Sequence, residues 1–306
     1  MSAATFRTAY ARASLLDRLA GLSTSGLDFL RLLATRPVGL AGFVGVLFFL
    51  VLGFVAPVFV PVNNTVNVAA IYSPPSLTYP LGTDYQGRDV LNQIIHGGRD
   101  ILMVAFLAGL ISTSIAVTFG ALGAVVGGRA DAAILALTDV VLTIPRVPLL
   151  VVLAALLRLN NILVVAVLVG LLAWPSLLRA VRAQVLSLKE REFVEAARSL
   201  DLGLGHIIFS EILPNMRSYI VISFILAMTQ AIYAQAGLIF LGLVPLSGQN
   251  WGVMINLAWT RGAIFFRDSL MYILSPVLAI ALFQLSLVSL ASGLEDIFNP
   301  RLRGSA

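Results

Sequence analysis

Six long apolar segments restrict the fold of this chain more than any other feature. They are separated by polar intervals and comprise residues 38–60, 101–126, 132–157, 162–178, 219–243 and 271–290. An α-helix needs about 20 apolar residues to cross the hydrocarbon core of a bilayer. Charged residues make up only 11% of the chain, whereas soluble domains carry about 25%. The sequence therefore predicts an all-α membrane protein with six transmembrane helices.

The polar intervals also divide the chain into segments. Residues 1–37 are basic and form either an amphipathic helix at the membrane surface or a partly ordered tail. Residues 38–60 are the first span and 61–99 a loop. Residues 100–294 form a core that holds the other five spans, and 295–306 form a tail.

The distribution of basic residues predicts the orientation. If both termini lie on the same side as the polar interval 187–214, fourteen Lys and Arg residues lie on that side and five on the other. Because basic loops are retained in the cytosol, both termini are predicted inside, and the loops 61–99 and 244–270 outside. This asymmetry accounts for the net charge of +5 and the pI near 10, so we expect no nucleic-acid partner.

The interval 187–214 has the pattern of a helix, a turn and a second helix. Ser187 and Glu190 have the spacing of a capping box, with Ser187 as the N-cap. Gly203 interrupts the helical pattern, and Pro214 is expected to end the second helix. A polar helical hairpin between two membrane spans predicts a docking surface for a cytosolic partner.

The hairpin carries Glu195-Ala196-Ala197, with Leu213-Pro214 downstream. This arrangement resembles the EAA motif in the membrane subunits of binding-protein-dependent ABC importers. The family has Gly four residues after the second Ala, where this chain has Asp201. We expect Asp201 to be a turn residue or the N-cap of the short helix that follows, with its carboxylate accepting backbone N–H bonds. Gly203, two residues later, is an alternative turn residue. The resemblance implies that these residues couple the chain to an ATPase. Without it, a solvated helix would explain Glu and Ala equally well, since both are good helix formers.

Further segments match, in order, the second-type permease of dipeptide and oligopeptide importers. They are Leu81-Gly82-Thr83-Asp84, Gly87-Arg88-Asp89-Val90-Leu91, Asp139 with Ile144-Pro145, Phe240-Leu241-Gly242-Leu243, Trp251-Gly252 and Pro300-Arg301-Leu302. The resemblance covers about residues 36–303. It implies a type I ABC importer permease fold that takes up peptides or related small solutes.

The resemblance also implies partners. A second related permease subunit would complete the path, two ATP-binding subunits would hold ATP and magnesium, and an extracytoplasmic solute-binding protein would deliver the solute. The sequence contains no Walker A motif, so no ATPase site is expected in this chain. His96 and His206 are isolated, and neither a metal site nor a cofactor is predicted.

Polar residues inside the predicted spans are candidates for the translocation path. Asp139 and Arg146 are seven residues apart and are expected on one face of the third span. Charges at membrane depth either line a water-filled path or pair with each other or with a neighbouring helix. Gln230, Tyr233 and Gln235 in the fifth span are weaker candidates.

Four residues in the two outer loops are candidates for contact with the binding protein or for a gate: Asp84, Arg88, Asp89 and Trp251. A local explanation is also open for this group. Gly82-Thr83-Asp84 has the composition of a helix start, and Arg88 is close enough in sequence to pair with Asp84.

Two other classes of protein are weaker alternatives. A secondary transporter would need no ATPase and would show internal repeats and coupling-ion carboxylates at mid-membrane, of which only Asp139 is present. A membrane enzyme would need a catalytic constellation near one face, and the sequence shows none.

Overall fold

The computed structural model describes residues 30–157, 161–244 and 249–298. The described residues are mainly helical, with no β-strand beyond one isolated bridge between Thr83 and Asp89. The predictions for the N-terminal segment up to residue 29, the turn at 158–160, the loop tip at 245–248 and the C-terminal motif from residue 299 lie outside the described residues.

The helices that build the bundle are numbered in chain order. They are α1 Pro37–Phe59, α2 Val90–Val126, α3 Gly128–Thr143, α4 Arg146–Leu157, α5 Ile162–Leu188, α6 Glu192–Ser199, α7 204–215, α8 Arg217–Phe240, α9 Trp251–Thr260 and α10 Leu270–Phe298.

Five of these helices are long and apolar enough to cross a membrane, namely α1, α2, α5, α8 and α10. The pair formed by α3 and α4 passes the same test jointly but is bent by 82°. The described part of the chain therefore contains five candidate spans, or six if the bent pair counts as one. The order of the predicted spans agrees with this arrangement.

Several helix ends differ from those predicted. Helix α2 begins at Val90, eleven residues earlier than expected, because Asp89 caps it by accepting a hydrogen bond from the Leu91 N–H at 2.9 Å. Its 37 residues correspond to about 55 Å, well beyond the thickness of the hydrocarbon core. Helix α5 continues to Leu188, and α10 continues to Phe298. These three helices are therefore longer than a crossing of the hydrocarbon core requires.

The third span is broken at Pro145. The residue before a proline is disfavoured in helical geometry, and Ile144 is indeed extended, with φ −81° and ψ 123°. Asp139 and Arg146 consequently lie on two different helices. The prediction that they share one helix face was wrong.

Helices α1 and α10 pack at very short range through small residues. Gly39, Gly42 and Gly45 of α1 face Gly293 and Ser286 of α10. A Cβ atom added at Gly42 would lie 2.3 Å from the backbone nitrogen of Leu290. Small residues at such a crossing allow backbones to approach closely, which favours helix association in a membrane.

The two ends of the bundle are chemically different. At one end, Arg36 and Asp296 line the same groove. Tyr219, at the start of α8 just after the hairpin, lines a cavity together with Glu295 of α10. The hairpin therefore lies beside the end of α10. The opposite end carries the segment 60–89 together with α9. The described segments that carry the larger share of Lys and Arg therefore meet at a single end.

Candidate coupling hairpin and translocation path

The hairpin leaves the bundle where α5 ends. Ser187 lies inside α5, so the predicted capping box with Glu190 was wrong. Helix α6 begins after Arg191, whose side chain makes no capping hydrogen bond. The first turn of α6 instead contains Glu192, and the last turn contains Arg198. These charges complement the helix dipole at each end.

One face of α6 is fixed to the bundle and the other is open. Val194 and Ala197 are buried in a cluster that also contains Ile208 and Ile212 of α7. Glu195 and Ala196 are exposed on the other face. The Glu195-Ala196-Ala197 motif therefore presents two residues to a partner and uses the third for close packing.

The turn after α6 is a Schellman motif centred on Asp201. Asp201 adopts a left-handed conformation, with φ +52°. Its N–H donates to the carbonyl of Arg198 at 2.9 Å, and the N–H of Leu202 donates to the carbonyl of Ala197 at 3.1 Å. This motif normally places Gly at the left-handed position. Asp201 therefore forms the turn itself.

Two predictions about this turn were wrong. Gly203 has an extended backbone, with φ −60° and ψ 157°, and does not supply the turn. It is instead the N-cap residue of the following helix, so Asp201 does not cap that helix. Within the described residues, the carboxylate of Asp201 accepts no backbone hydrogen bond.

Helix α7 is locally widened ahead of its proline. Residues Ile207–Ile212 form π-type turns, and Pro214 follows two residues later. Proline has no N–H to donate, so a helix register normally changes near it. Leu213 is half-buried, Pro214 is exposed, and the helix continues to Asn215 rather than ending at the proline.

Large apolar side chains are exposed around the hairpin. Leu200 is 73% exposed, Leu204 is 53% exposed and Phe209 is 69% exposed. We call these three residues the hairpin rim. Leu200 and Leu204 fit a helical apolar pattern in the sequence, which normally indicates buried residues, and the turn at Asp201 is what leaves them open.

An ion pair and a hydrogen bond from a lysine hold the base of the hairpin. Arg182 of α5 donates two hydrogen bonds to Asp131 of α3, both at 2.6 Å. The Lys189 ammonium donates to the backbone carbonyl of Ala124 at 3.0 Å. Bidentate arginine–carboxylate contacts are geometrically specific. The sequence patterns did not identify these contacts, since they join residues more than 50 positions apart.

The predicted path residues do not form a single group. Asp139 forms an ion pair with Arg179 of α5. Gln230 and Tyr233 lie on an exposed side of α8, whereas Gln235 is buried on the opposite side. The geometry therefore separates Gln235 from the other two. Arg146, at the start of α4, faces two cavities.

Asp84 organises the loop that precedes α2. Its side chain is fully buried and accepts hydrogen bonds from the Arg88 guanidinium at 2.8 Å and from the Gln93 amide at 2.9 Å. The local explanation of this pair therefore agrees with the geometry. Burial, together with the nearby Asp84 carboxylate, raises the pKa of the neighbouring Tyr72 phenol.

The other outer candidates also have structural partners. Asp89 is the N-cap of α2. Trp251 is fully buried, and its indole N–H donates to the carbonyl of Ile94 at 2.9 Å. Neither Trp251 nor Asp84 presents a side chain to an external protein in this structure. Arg88 and Asp89 are half-buried, and their contact with a binding protein stays a prediction.

A bundle of apolar helices with a packed polar hairpin at one end has the architecture of a membrane permease. Residues 116–304 match the family of binding-protein-dependent transport system inner membrane components. The chain belongs to this family. It is a multi-pass membrane protein and the permease subunit of an ABC importer, which implies an ATPase and a substrate-binding protein as partners.

Named relatives support this assignment over most of the chain. A Brucella suis protein described as a peptide permease is 38% identical over 80% of this chain and 81% of its own length. The dipeptide transport system permease protein DppC of Bacillus subtilis is 31% identical over 90% of this chain and 86% of its own. The oligopeptide transport system permease protein OppC of Haemophilus influenzae is 31% identical over 72% and 70%.

Proposed function

We propose that this subunit forms half of the translocation path for peptides or related small solutes. A second, related permease subunit would supply the other half, and two ATP-binding subunits would drive transport. The observation that carries the proposal is the similarity to permeases named for dipeptide and oligopeptide transport, which extends over 90% of this chain in one case.

The proposed docking surface for the ATPase is the hairpin rim together with Glu195 and Ala196. Large apolar side chains in an otherwise polar hairpin are unfavourable in water and indicate a protein contact. Ala196 is small enough to let another backbone approach, and Glu195 offers a carboxylate to a donor on the partner. The opposite face of the hairpin is packed on α2 and α5. Movement of the docked ATPase would therefore be transmitted directly to these transmembrane helices.

In this proposal, both termini and the hairpin lie in the cytosol, and the segment 60–89 and α9 lie outside. ATP and magnesium are bound by the partner subunits, and this chain has no ATPase site of its own. The support is the unequal distribution of Lys and Arg between the two sides.

Co-purification of the ATPase with the tagged chain tests the docking surface. Phe209→Asp should reduce the recovered ATPase at least about tenfold, because a central apolar contact dominates the energy of an interface. Phe265→Asp is the matched control, since Phe265 is 83% exposed but lies at the other end of the bundle. Glu195→Lys should likewise lose the ATPase or its coupling to uptake.

Uptake of labelled dipeptides and oligopeptides into proteoliposomes tests the substrate class. The complete transporter with its binding protein should accumulate them only when ATP is supplied. Unchanged ATPase recovery with Phe209→Asp would refute the docking surface. Peptide uptake without any ATPase would favour a secondary transporter instead.

A further inference from the structure

Two cavities lie in line along α8. The larger, about 530 Å³, follows the half of α8 beside the hairpin, with Tyr219, Ser223 and Leu226 in its wall. The smaller, about 220 Å³, follows the other half, with Tyr233 and Gly237 in its wall. The helix has 24 residues, so each half corresponds to about 18 Å at the usual rise per residue. The cavities therefore open on opposite sides of the middle of α8.

Two residues line both cavities. They are Arg146, at the first position of α4, and Gln230, at the middle of α8. The 82° bend between α3 and α4 brings the start of α4 to this level of α8. A solute that moves along α8 from one cavity to the other would therefore pass between the side chains of Arg146 and Gln230.

Arg146 has no counter-charge in the described residues. Its Nε and Nη2 atoms are buried without a hydrogen-bond partner. Asp139, the carboxylate expected to pair with it, is bonded to Arg179 instead. Glu295 lines the larger cavity, but no ion pair joins it to Arg146.

A guanidinium at membrane depth without a partner is costly, and such groups normally serve an ion or substrate path. Its planar fork of N–H donors fits a carboxylate with two hydrogen bonds. A peptide carries at least one carboxylate, so an unsatisfied guanidinium in the path matches the chemistry of the solute. An amide at Gln230 can donate to, or accept from, the same solute.

We propose that Arg146 and Gln230 form the constriction between an inner and an outer cavity, and that Arg146 binds the carboxylate of the solute as it crosses. This assignment rests on the proposed transport of peptides. It specifies the group of the solute that is recognised within the membrane, separately from recognition by the binding protein.

The first test measures uptake of a labelled dipeptide with a free carboxylate by the complete transporter in proteoliposomes. Arg146→Gln should lower the uptake rate about tenfold or more, since hydrogen bonds to charged groups are worth that factor. Arg146→Lys should retain an intermediate rate. Recovery of the ATPase and of the second permease subunit with each variant checks that the complex has assembled.

A control variant separates the site from a general effect of charge. Arg179→Gln removes a positive charge from the same bundle outside both cavities. It should transport at close to the wild-type rate. Uptake by Arg146→Gln within twofold of wild type would overturn the proposal. Loss of the second permease subunit from the complex would also overturn it, by assigning Arg146 to that interface.

A second measurement tests the constriction without any peptide. The chain has no native cysteine, so Leu226→Cys reports on the larger cavity and Tyr233→Cys on the smaller. An impermeant thiol reagent added on the hairpin side should modify only the first. The reagent should modify both cysteines when Arg146 is also replaced by Ala. Unchanged protection of the cysteine at position 233 in that variant would refute the constriction.

If the transporter with Arg146 intact takes up no peptide but its single-cysteine variants show this one-sided labelling, the substrate class is wrong and the constriction stands. If that transporter takes up peptide but both cysteine positions are labelled from one side, the substrate class stands and the constriction is wrong. The two proposals therefore fail independently.

Discussion

Asp201 holds a backbone conformation that glycine adopts at lower cost, and replacing it should change the stability of the hairpin in a predictable order. An L-residue in the left-handed region costs about 1–2 kcal/mol, and Asp and Asn tolerate it best. With φ +52°, Asp201 bears part of that cost. Glycine removes the steric cost but loses about 0.5–1 kcal/mol through its greater freedom when unfolded.

The expected net effect of Asp201→Gly is a stabilisation of up to about 1 kcal/mol. Asp201→Asn should be nearly neutral, because the carboxylate caps nothing in the described residues. Asp201→Val should destabilise the hairpin by about 1–2 kcal/mol relative to Asp201, since a β-branched side chain resists left-handed geometry. Transport should survive in the Gly and Asn variants.

Hydrogen exchange at two amides measures this order directly. The N–H groups of Asp201 and Leu202 close the Schellman motif onto Arg198 and Ala197. A change of 1.4 kcal/mol corresponds to about a tenfold change in protection. The Val variant should therefore exchange about tenfold faster at these amides, and the Gly variant more slowly than wild type.

Amides in the middle of α5 serve as the internal control, because they should exchange equally in every variant. The reasoning is refuted if the Val variant is as protected as the Gly variant. It is also refuted if Asn abolishes uptake while Val is tolerated, because the charge of the carboxylate would then matter rather than the turn.

Three further predictions concern packing and orientation. Gly42→Ala should lower thermal stability by about 1–3 kcal/mol through overpacking against α10, whereas Gly237→Ala, where a Cβ meets nothing within 4 Å, should not destabilise the protein. Trp251→Phe should cost about 1–3 kcal/mol in unfolding experiments, because it removes the indole hydrogen bond to α2 and part of a fully buried side chain. A single cysteine at Thr65 should label in intact cells and one at Ser199 only after permeabilisation; labelling of Ser199 in intact cells would contradict the proposed orientation.

The sequence was sufficient to predict which segments are long and apolar enough to cross a membrane, because hydropathy alone determines that property. It did not predict where the helices end. The cap of α2 at Asp89 and the extension of α5 beyond residue 178 depend on loop geometry and on the packing of Val181 and Val185 against the hairpin. Such contacts override local signals such as the Ser187 capping pattern.

The turn at Asp201 and the helix break at Pro145 show the same limit at single residues. Pro145 breaks the third predicted span, but no sequence pattern indicated an 82° bend that separates Asp139 from Arg146. Asp201 was correctly expected in a turn because it replaces a glycine of the motif, yet its lack of a capping role depends on where α7 begins. The ion pair of Asp139 with Arg179 joins residues 40 positions apart, and no local pattern contains that information.

The contact between α1 and α10 has a mechanical consequence for the transport cycle. Two helices whose backbones touch at Gly39 and Gly293 cannot slide past each other without collision, because no flexible side chain lies between them to adjust. The first and last spans should therefore travel as one rigid body throughout the cycle. If the two cavities open alternately, we expect α4, α5 and α8 to move against this pair, with the break at residues 144–145 as the hinge.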